Sequence, residues 1–320
     1  MNAAAPEWGG AVTPSPAGGG LGWGPAAVPR ATAGPHPNLP PKGEGIKPLD
    51  DSPEGAQPVA VRGLRSGRTF EAIDTVAEEV PVALEYNGIS HAVMLATPLN
   101  LEDFALGFSL TEGIVAHPGE FYGMEQERSP QGITLQLEIA SSAFARLKDR
   151  RRTLAGRTGC GLCGAENLAQ IARELPALGD GPHWNASAIA NAMAQLASGQ
   201  RLHRATGAVH AAAWCDVRGE VHCLREDVGR HNALDKLVGA LAARRASAAQ
   251  GFIAITSRAS FEMVQKTVVA GVTLLAAASA PTALAIDAAR GARLALAGFA
   301  RGANLTLYTD EARRLHFDRA

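Results

Sequence analysis

The chain has 320 residues, with 30 Lys and Arg against 31 Asp and Glu, so no global field marks it as a partner for nucleic acid or an acidic polymer. Its apolar content suits a core, yet no run of about 18 uncharged apolar residues marks a membrane span. Four cysteines, two of them in one CxxC, and the lack of a basic-then-apolar leader point to reduced thiols in the cytoplasm rather than a disulfide framework.

Residues 1–50 hold ten of the 19 prolines and few aliphatic residues. Such a segment buries too little surface to offset its ordering entropy, and a disordered extension is predicted, with Trp8 and Trp23 as the only hint of a docking peptide. Residues 51–153 are expected to form a β-rich α+β domain. Strands are predicted at Val59–Leu64, Val80–Tyr86 and Ser90–Ala96, the last two joined by Asn87-Gly88, a strong hairpin signal. Asn100 is predicted to cap a helix, with Asp103 completing a capping box and Leu101, Phe104, Ala105, Phe108 and Ile114 on its apolar face. Two more strands, 119–127 and 133–139, flank Ser129-Pro130-Gln131-Gly132. A helix from Ser142 then ends in Arg150-Arg151-Arg152.

The next stretch, Arg157-Thr-Gly-Cys160-Gly-Leu-Cys163-Gly-Ala-Glu-Asn-Leu168, places two cysteines among glycines. Leu168, Ile171, Ala172 and Leu175 follow at helical spacing. Free N–H groups at a helix start lower a thiol pKa, so the loop is suited to sulfur chemistry. From there to residue 320 the rhythm alternates. A helix is expected at Ala188–Ala197, paired strands at 209–217 and 220–226, and a helix from Asn232. A strand over 252–256, a long helix over 261–278, a strand over 281–286, a helix over 288–297 and a strand over 305–309 complete the series. This pattern implies an α/β domain over 154–320 with helices on both faces of a mixed or parallel sheet.

Ligands on such sheets sit where strand ends meet helix starts. Three loops there stand out: Leu224–Asn232, Thr256–Lys266 and Phe299–Asn304, each with at least one arginine. Arginines beside free helix N–H groups suit an anion or phosphate. Each loop also has a plainer reading, with Asn232 and Ser260 as helix caps and Arg258 paired to Glu262.

These residues carry a resemblance. Gly159-Cys-Gly-Leu-Cys-Gly164, Arg225-Glu-Asp-Val-Gly-Arg-His-Asn-Ala-Leu-Asp-Lys236 and Ser257-Arg-Ala-Ser-Phe-Glu-Met-Val-Gln-Lys266 resemble the signatures of the formate dehydrogenase accessory sulfurtransferases, the FdhD family. Thr97-Pro-Leu-Asn-Leu-Glu-Asp-Phe104, Gly207-Ala-Val-His-Ala-Ala-Ala213 and Phe299-Ala-Arg-Gly302 do so as well. The resemblance spans about Pro58 to the C-terminus. It implies a persulfide carrier that takes sulfur from a cysteine desulfurase on Cys160, with Cys163 assisting. The sulfur would pass to the molybdenum cofactor, bis(molybdopterin guanine dinucleotide), before that cofactor enters formate dehydrogenase. The cofactor is then a bound substrate that GDP can mimic, and no permanent cofactor or metal is expected. Cofactor contacts are assigned to Phe299, Ala300, Arg301, Gly302, Ala303 and Asn304, with Ser257, Arg258, Arg230 and His231. The resemblance further implies a cytidine-deaminase-like fold for the second domain and a homodimer, for which the sequence itself carries no signal.

Deaminase chemistry is not expected, because His210-Ala211-Ala212 has alanine where the proton-shuttling glutamate would stand. Two alternatives stay open. Zinc could be held by Cys160 and Cys163 with two of Cys215, Cys223 and His210, although Cys215 and Cys223 sit in an apolar strand pair. A thioredoxin-like reductase would also use a CxxC at a helix start.

Overall fold

In the computed structural model, residues 52–155, 175–244 and 247–317 are described. The chain enters through a hairpin, β1 (Ala56–Arg65) and β2 (Arg68–Ala77), turning at Ser66 and Gly67 with φ of 49° and 78°. The sequence points to most of β1 but not to β2, whose residues are mostly half-buried and show no clean alternation. A four-stranded sheet follows, from β3 (Val80–Tyr86), β4 (Ile89–Ala96), β5 (Phe121–Ser129) and β6 (Gly132–Ile139) in the order β4-β3-β6-β5. Asn87 and Gly88 both take positive φ, 46° and 79°, as a two-residue hairpin turn requires. Period-two alternation sends Val82, Leu84 and Tyr86, with Ile133, Leu135 and Leu137, to one face. That face is covered by α1 (Leu101–Thr111), through Phe104 and Phe108, and by α2 (Ser141–Ala155), through Ala143 and Leu147.

The expected capping box at α1 does not form. Asn100 lies in the left-handed region at φ 53° with no side-chain cap bond. Asp103 instead accepts from Arg225 Nε at 2.7 Å, a charge-assisted bond stronger than a neutral cap.

The second layer system begins at β7 (Trp184–Asn185), α3 (Ala186–Gly199) and α4 (Arg201–Thr206). Next come β8 (His210–Cys215), β9 (Val221–Asp227), α5 (Arg230–Ala243), β10 (Phe252–Ile255) and α6 (Phe261–Val269). The chain continues through β11 (Leu274–Ala277), α7 (Ala283–Gly291), β12 (Ala295–Arg301) and β13 (Asn304–Thr309), and β14 (Leu315–His316) pairs with β7. Six strands form one mixed sheet in the order β13-β12-β11-β10-β8-β9, with β10, β11 and β12 parallel. Ile253, Ile255, Leu275 and Leu296 face α5, α6 and α7, whereas Phe252, Ala254, Leu274 and Ala297 face α3. Helices therefore cover both faces, as the alternating pattern implies.

Local assignments differ in the last third. The long helix expected over 261–278 stops at Val269, since Gly271 at φ 72° ends it and Leu274–Ala277 becomes a strand buried on both faces. A short apolar run of this kind carries no period and reads equally as helix. The strand expected at 281–286 is instead the start of α7, where Thr282 caps the helix through Ala285 N–H. The helix expected at 288–297 ends at Gly291, and β12 occupies its second half.

The two sheets meet through α1 and α5, and glycine sets the distance. A Cβ on Gly107 would lie 1.8 Å from Asp235 O, and one on Gly239 would lie 1.9 Å from Asp103 O, so the helices touch backbone to backbone. Two buried ion pairs flank this crossing. Lys266 Nζ contacts both Asp235 oxygens at 2.9 and 3.0 Å, and Lys236 Nζ lies 2.6 Å from Asp227 Oδ2. Among the described residues, no helix is long and apolar enough to cross a membrane.

Candidate functional site

Cys160 and Cys163 lie outside the described residues, so the site is built from the loops that the sequence marks for an anionic ligand. Parallel β10, β11 and β12 end at one edge of the sheet, and antiparallel pairing brings the start of β8 and the end of β9 to it (His210 opposite Asp227). The ends of these strands and the loops leaving them are tied to one another by backbone bonds. Ala278 N–H reaches Ile255 O at 2.9 Å, Ala259 N–H reaches Ala280 O at 3.2 Å, and Phe299 N–H reaches Ser279 O at 3.2 Å. On the β9 side, the start of α5 meets that of α6, with His231 Nε2 3.9 Å from Glu262 Oε2.

The ten residues proposed for cofactor contact do not play equal parts. Arg258, Arg301, Gly302, Ala303 and Asn304 are exposed along the edge. Arg301 spends Nε on Ala278 O at 2.8 Å, which holds the side chain against the neighbouring loop. Phe299 is half exposed and takes a left-handed φ of 51°, rare for an aromatic residue, at a register shift between Gly298 and Arg301. Ala300 is buried in the sheet face against the α3 cluster, and Ser257 is buried with its hydroxyl donated to Arg258 O at 3.0 Å. These two shape the loops from within. Arg230 and His231 open α5 with partly buried side chains, and Arg230 Nε and His231 Nε2 have no hydrogen-bond partner among the described residues. Burial pushes His231 down to about 4, with adjacent Arg230 adding to the effect, so its ring is neutral at pH 7.

Two of the plainer readings change. Asn232 is not a cap, because α5 starts two residues earlier and Asn232 is buried. Ser260 stands at the cap position of α6 without a cap bond, and Glu262 faces His231. The geometry also separates Cys215 from Cys223. Cys215 packs in the core on the α3 side and Cys223 in the core on the α5 side, so they cannot share an ion. Burial raises both thiols, Cys215 to about 12, as expected of small hydrophobes rather than ligands. Beside the edge, Gln200, His203, His210 and Thr256 line a cavity of about 360 Å³. His210 is held low first by burial and then by Arg230 and His203. His203 is absent from every motif quoted above, and only the pairing of β8 with β9 and β10 brings its neighbourhood to the edge.

The fold and this edge define a mixed α/β protein with exposed arginines on the loops at the ends of its parallel strands, where ligands on such sheets commonly bind. Residues 77–315 match the FdhD/NarQ family, and the chain belongs to that family. It is 62% identical over 257 residues to the sulfur carrier protein FdhD of Variovorax paradoxus strain S110, covering 80% of this chain and 92% of that one. It is 53% identical over 267 residues to the sulfur carrier protein FdhD of Cupriavidus necator, covering 83% and 93%. A crystal structure from Desulfotalea psychrophila, of a protein proposed as a formate dehydrogenase accessory protein, superposes with a TM-score of 0.64 at 21% identity, over 81% of this chain and 98% of that one. That last likeness supports the overall fold.

Proposed function

We propose that the chain is a cytoplasmic sulfur carrier serving formate dehydrogenase. The observation that carries this reading is family membership together with the convergence of the three charged loops at one sheet edge. Cys160 accepts sulfur from the persulfide of a cysteine desulfurase. Its thiolate attacks the terminal sulfur, the donor's S–S bond breaks, a new one forms on Cys160, and the donor leaves as a thiolate with no net redox change. For delivery, the Cys163 thiolate attacks the inner sulfur of Cys160. Hydrosulfide leaves towards the metal, and the resulting Cys160–Cys163 disulfide is reopened by a cellular dithiol.

The acceptor in this reading is the molybdenum cofactor, bis(molybdopterin guanine dinucleotide), held as a substrate along the edge. Arg258 and Arg301 offer planar forks for phosphate oxygens, and Arg230 adds positive charge at the α5 start. Phe299 presents a half-exposed ring beside them, suited to stacking on a flat heterocycle. The cytidine-deaminase-like layering implied for residues 154–320 is part of the same reading, as is a homodimer that would bring two such edges together. Partners are the desulfurase and formate dehydrogenase.

The test of sulfur acceptance is mass spectrometry of the chain after incubation with a cysteine desulfurase and cysteine. One added sulfur atom on the peptide containing Cys160 is expected. Bound zinc and no adduct would favour the metal reading, reduction of a protein disulfide would favour the thioredoxin-like one, and an adduct on Cys215 or Cys223 would overturn the assignment.

A further inference from the structure

The segment Asp227–Asn232 carries the motif read as ligand-facing, yet its most buried side chains point inward. Asp227 is fully buried and uses both carboxylate oxygens. Oδ1 accepts from Gly229 N–H at 2.7 Å and from Asn232 Nδ2 at 3.0 Å. Oδ2 accepts from Thr97 N–H at 3.0 Å and lies 2.6 Å from Lys236 Nζ. Thr97 replies from the β4–α1 turn: its hydroxyl accepts from Val228 N–H at 3.2 Å, and its carbonyl accepts from Lys236 Nζ at 2.9 Å. Asn232 Nδ2 also reaches Leu95 O at 2.8 Å. Residues on both sides of Arg230 and His231 are thus fastened to residues 95–97, more than a hundred positions earlier in the chain.

Stability alone does not explain this arrangement. Burying both charges of the Lys236–Asp227 pair costs several kcal/mol of desolvation, and a well-packed apolar pair of equal volume often holds an interface as well or better. Burial pushes Lys236 below its ordinary range even with the carboxylate opposite. What the ionic cluster adds is direction, since four donors converge on one carboxylate and fix the path of the loop backbone. The same carboxylate takes the Gly229 N–H and the Asn232 amide, while Arg230 Nε and His231 Nε2 beside them have no hydrogen-bond partner among the described residues, and Glu262 lies 3.9 Å from the His231 ring.

We infer that Thr97, Asp227 and Lys236 are positioning residues, through which the β4–α1 turn sets how Arg230 and His231 are presented at the sheet edge. This rests on the reading of that edge as the ligand site. The residues touch no ligand themselves; they act through the loop.

The substitution Thr97→Val removes the hydroxyl that takes the Val228 N–H, and Thr97→Ser keeps it. Three measurements on the full chain separate positioning from interior packing: the thermal midpoint, the titration of His231 by NMR without ligand, and GDP affinity. The charged groups acting on His231 are Arg230, Glu262, Lys266 and Glu112, and Thr97→Val alters none of them. Thr97→Val is expected to raise the His231 midpoint by about one pH unit as the ring gains water, and to weaken GDP binding about tenfold. Thr97→Ser should restore both. If Thr97→Val lowered only the thermal midpoint, leaving His231 and GDP affinity at parental values, the positioning role would be wrong. Should Thr97→Val fail to fold, Asn232→Ser, which drops the amide bonds to Leu95 and Asp227, is read in the same way. A parent chain that did not bind GDP would overturn the nucleotide reading alone, and the ligand-free His231 midpoint would still decide the inference.

Discussion

His231 sets an acid limit on the fold. Its folded pKa is about 4 because the ring is buried, against an ordinary value near 6.5 in the unfolded chain. Between these values the unfolded chain binds a proton that the folded one refuses. The stability this group contributes is therefore complete above about pH 6.5 and falls as the pH drops towards 4. Urea unfolding at pH 7 and pH 5 should show a smaller loss for His231→Gln than for the parent, and equal losses would contradict the assignment. Asp235 makes a different prediction. It is 1% exposed, accepts from Lys266 Nζ through both oxygens at 2.9 and 3.0 Å, and accepts from Thr111 Oγ1 at 2.6 Å. Asp235→Ala leaves a buried ammonium with Glu112 as its remaining carboxylate, and about 3–5 kcal/mol of destabilisation is expected by denaturant titration.

At the scale of elements, the crossing of α1 and α5 is the most sensitive contact. A Cβ on Gly239 meets carbonyl backbone rather than a flexible side chain, so Gly239→Ala forces the helices apart at a cost of about 3 kcal/mol or more. Gly291, in α7 with open space around it, is the control: Gly291→Ala should be neutral or stabilising by up to about 1 kcal/mol. Equal thermal midpoints for the two variants would contradict the close packing. The same elements show what the sequence could disclose. The Asn87-Gly88 hairpin was legible because its geometry is local, and the apolar face of α1 because its period is. Leu274–Ala277 was not, because a strand buried on both faces has the composition of a buried helix and only its parallel neighbours decide between them. Among the candidate site residues, Arg258 and Arg301 are exposed at the sheet edge, as their loop positions imply. Asp227, Asn232 and Lys236 share that motif's polarity but are interior, and their partners lie in a distant turn that no local pattern announces.

At the scale of the whole molecule, the proposed sulfur transfer needs only residues 51–320. A chain starting at Asp51 should transfer persulfide as the full chain does, since residues 1–50 are rich in proline and glycine and poor in aliphatic residues, a composition unsuited to carrying the reaction. Replacing Arg150, Arg151 and Arg152 together by alanine should slow transfer more at low salt than at high salt, because their positive charge would attract an acidic donor face. Normal transfer at both salt concentrations would leave these arginines only a helix-end role. The proposed role of Cys160, carrying sulfur needed by formate dehydrogenase, is tested most directly by formate-dependent dye reduction in extracts of bacteria. These bacteria lack their own gene of this family and express either the parent chain or Cys160→Ala at equal levels. Activity with the parent and none with Cys160→Ala is the predicted result; equal activity from both would contradict the carrier role and leave the chain a scaffold.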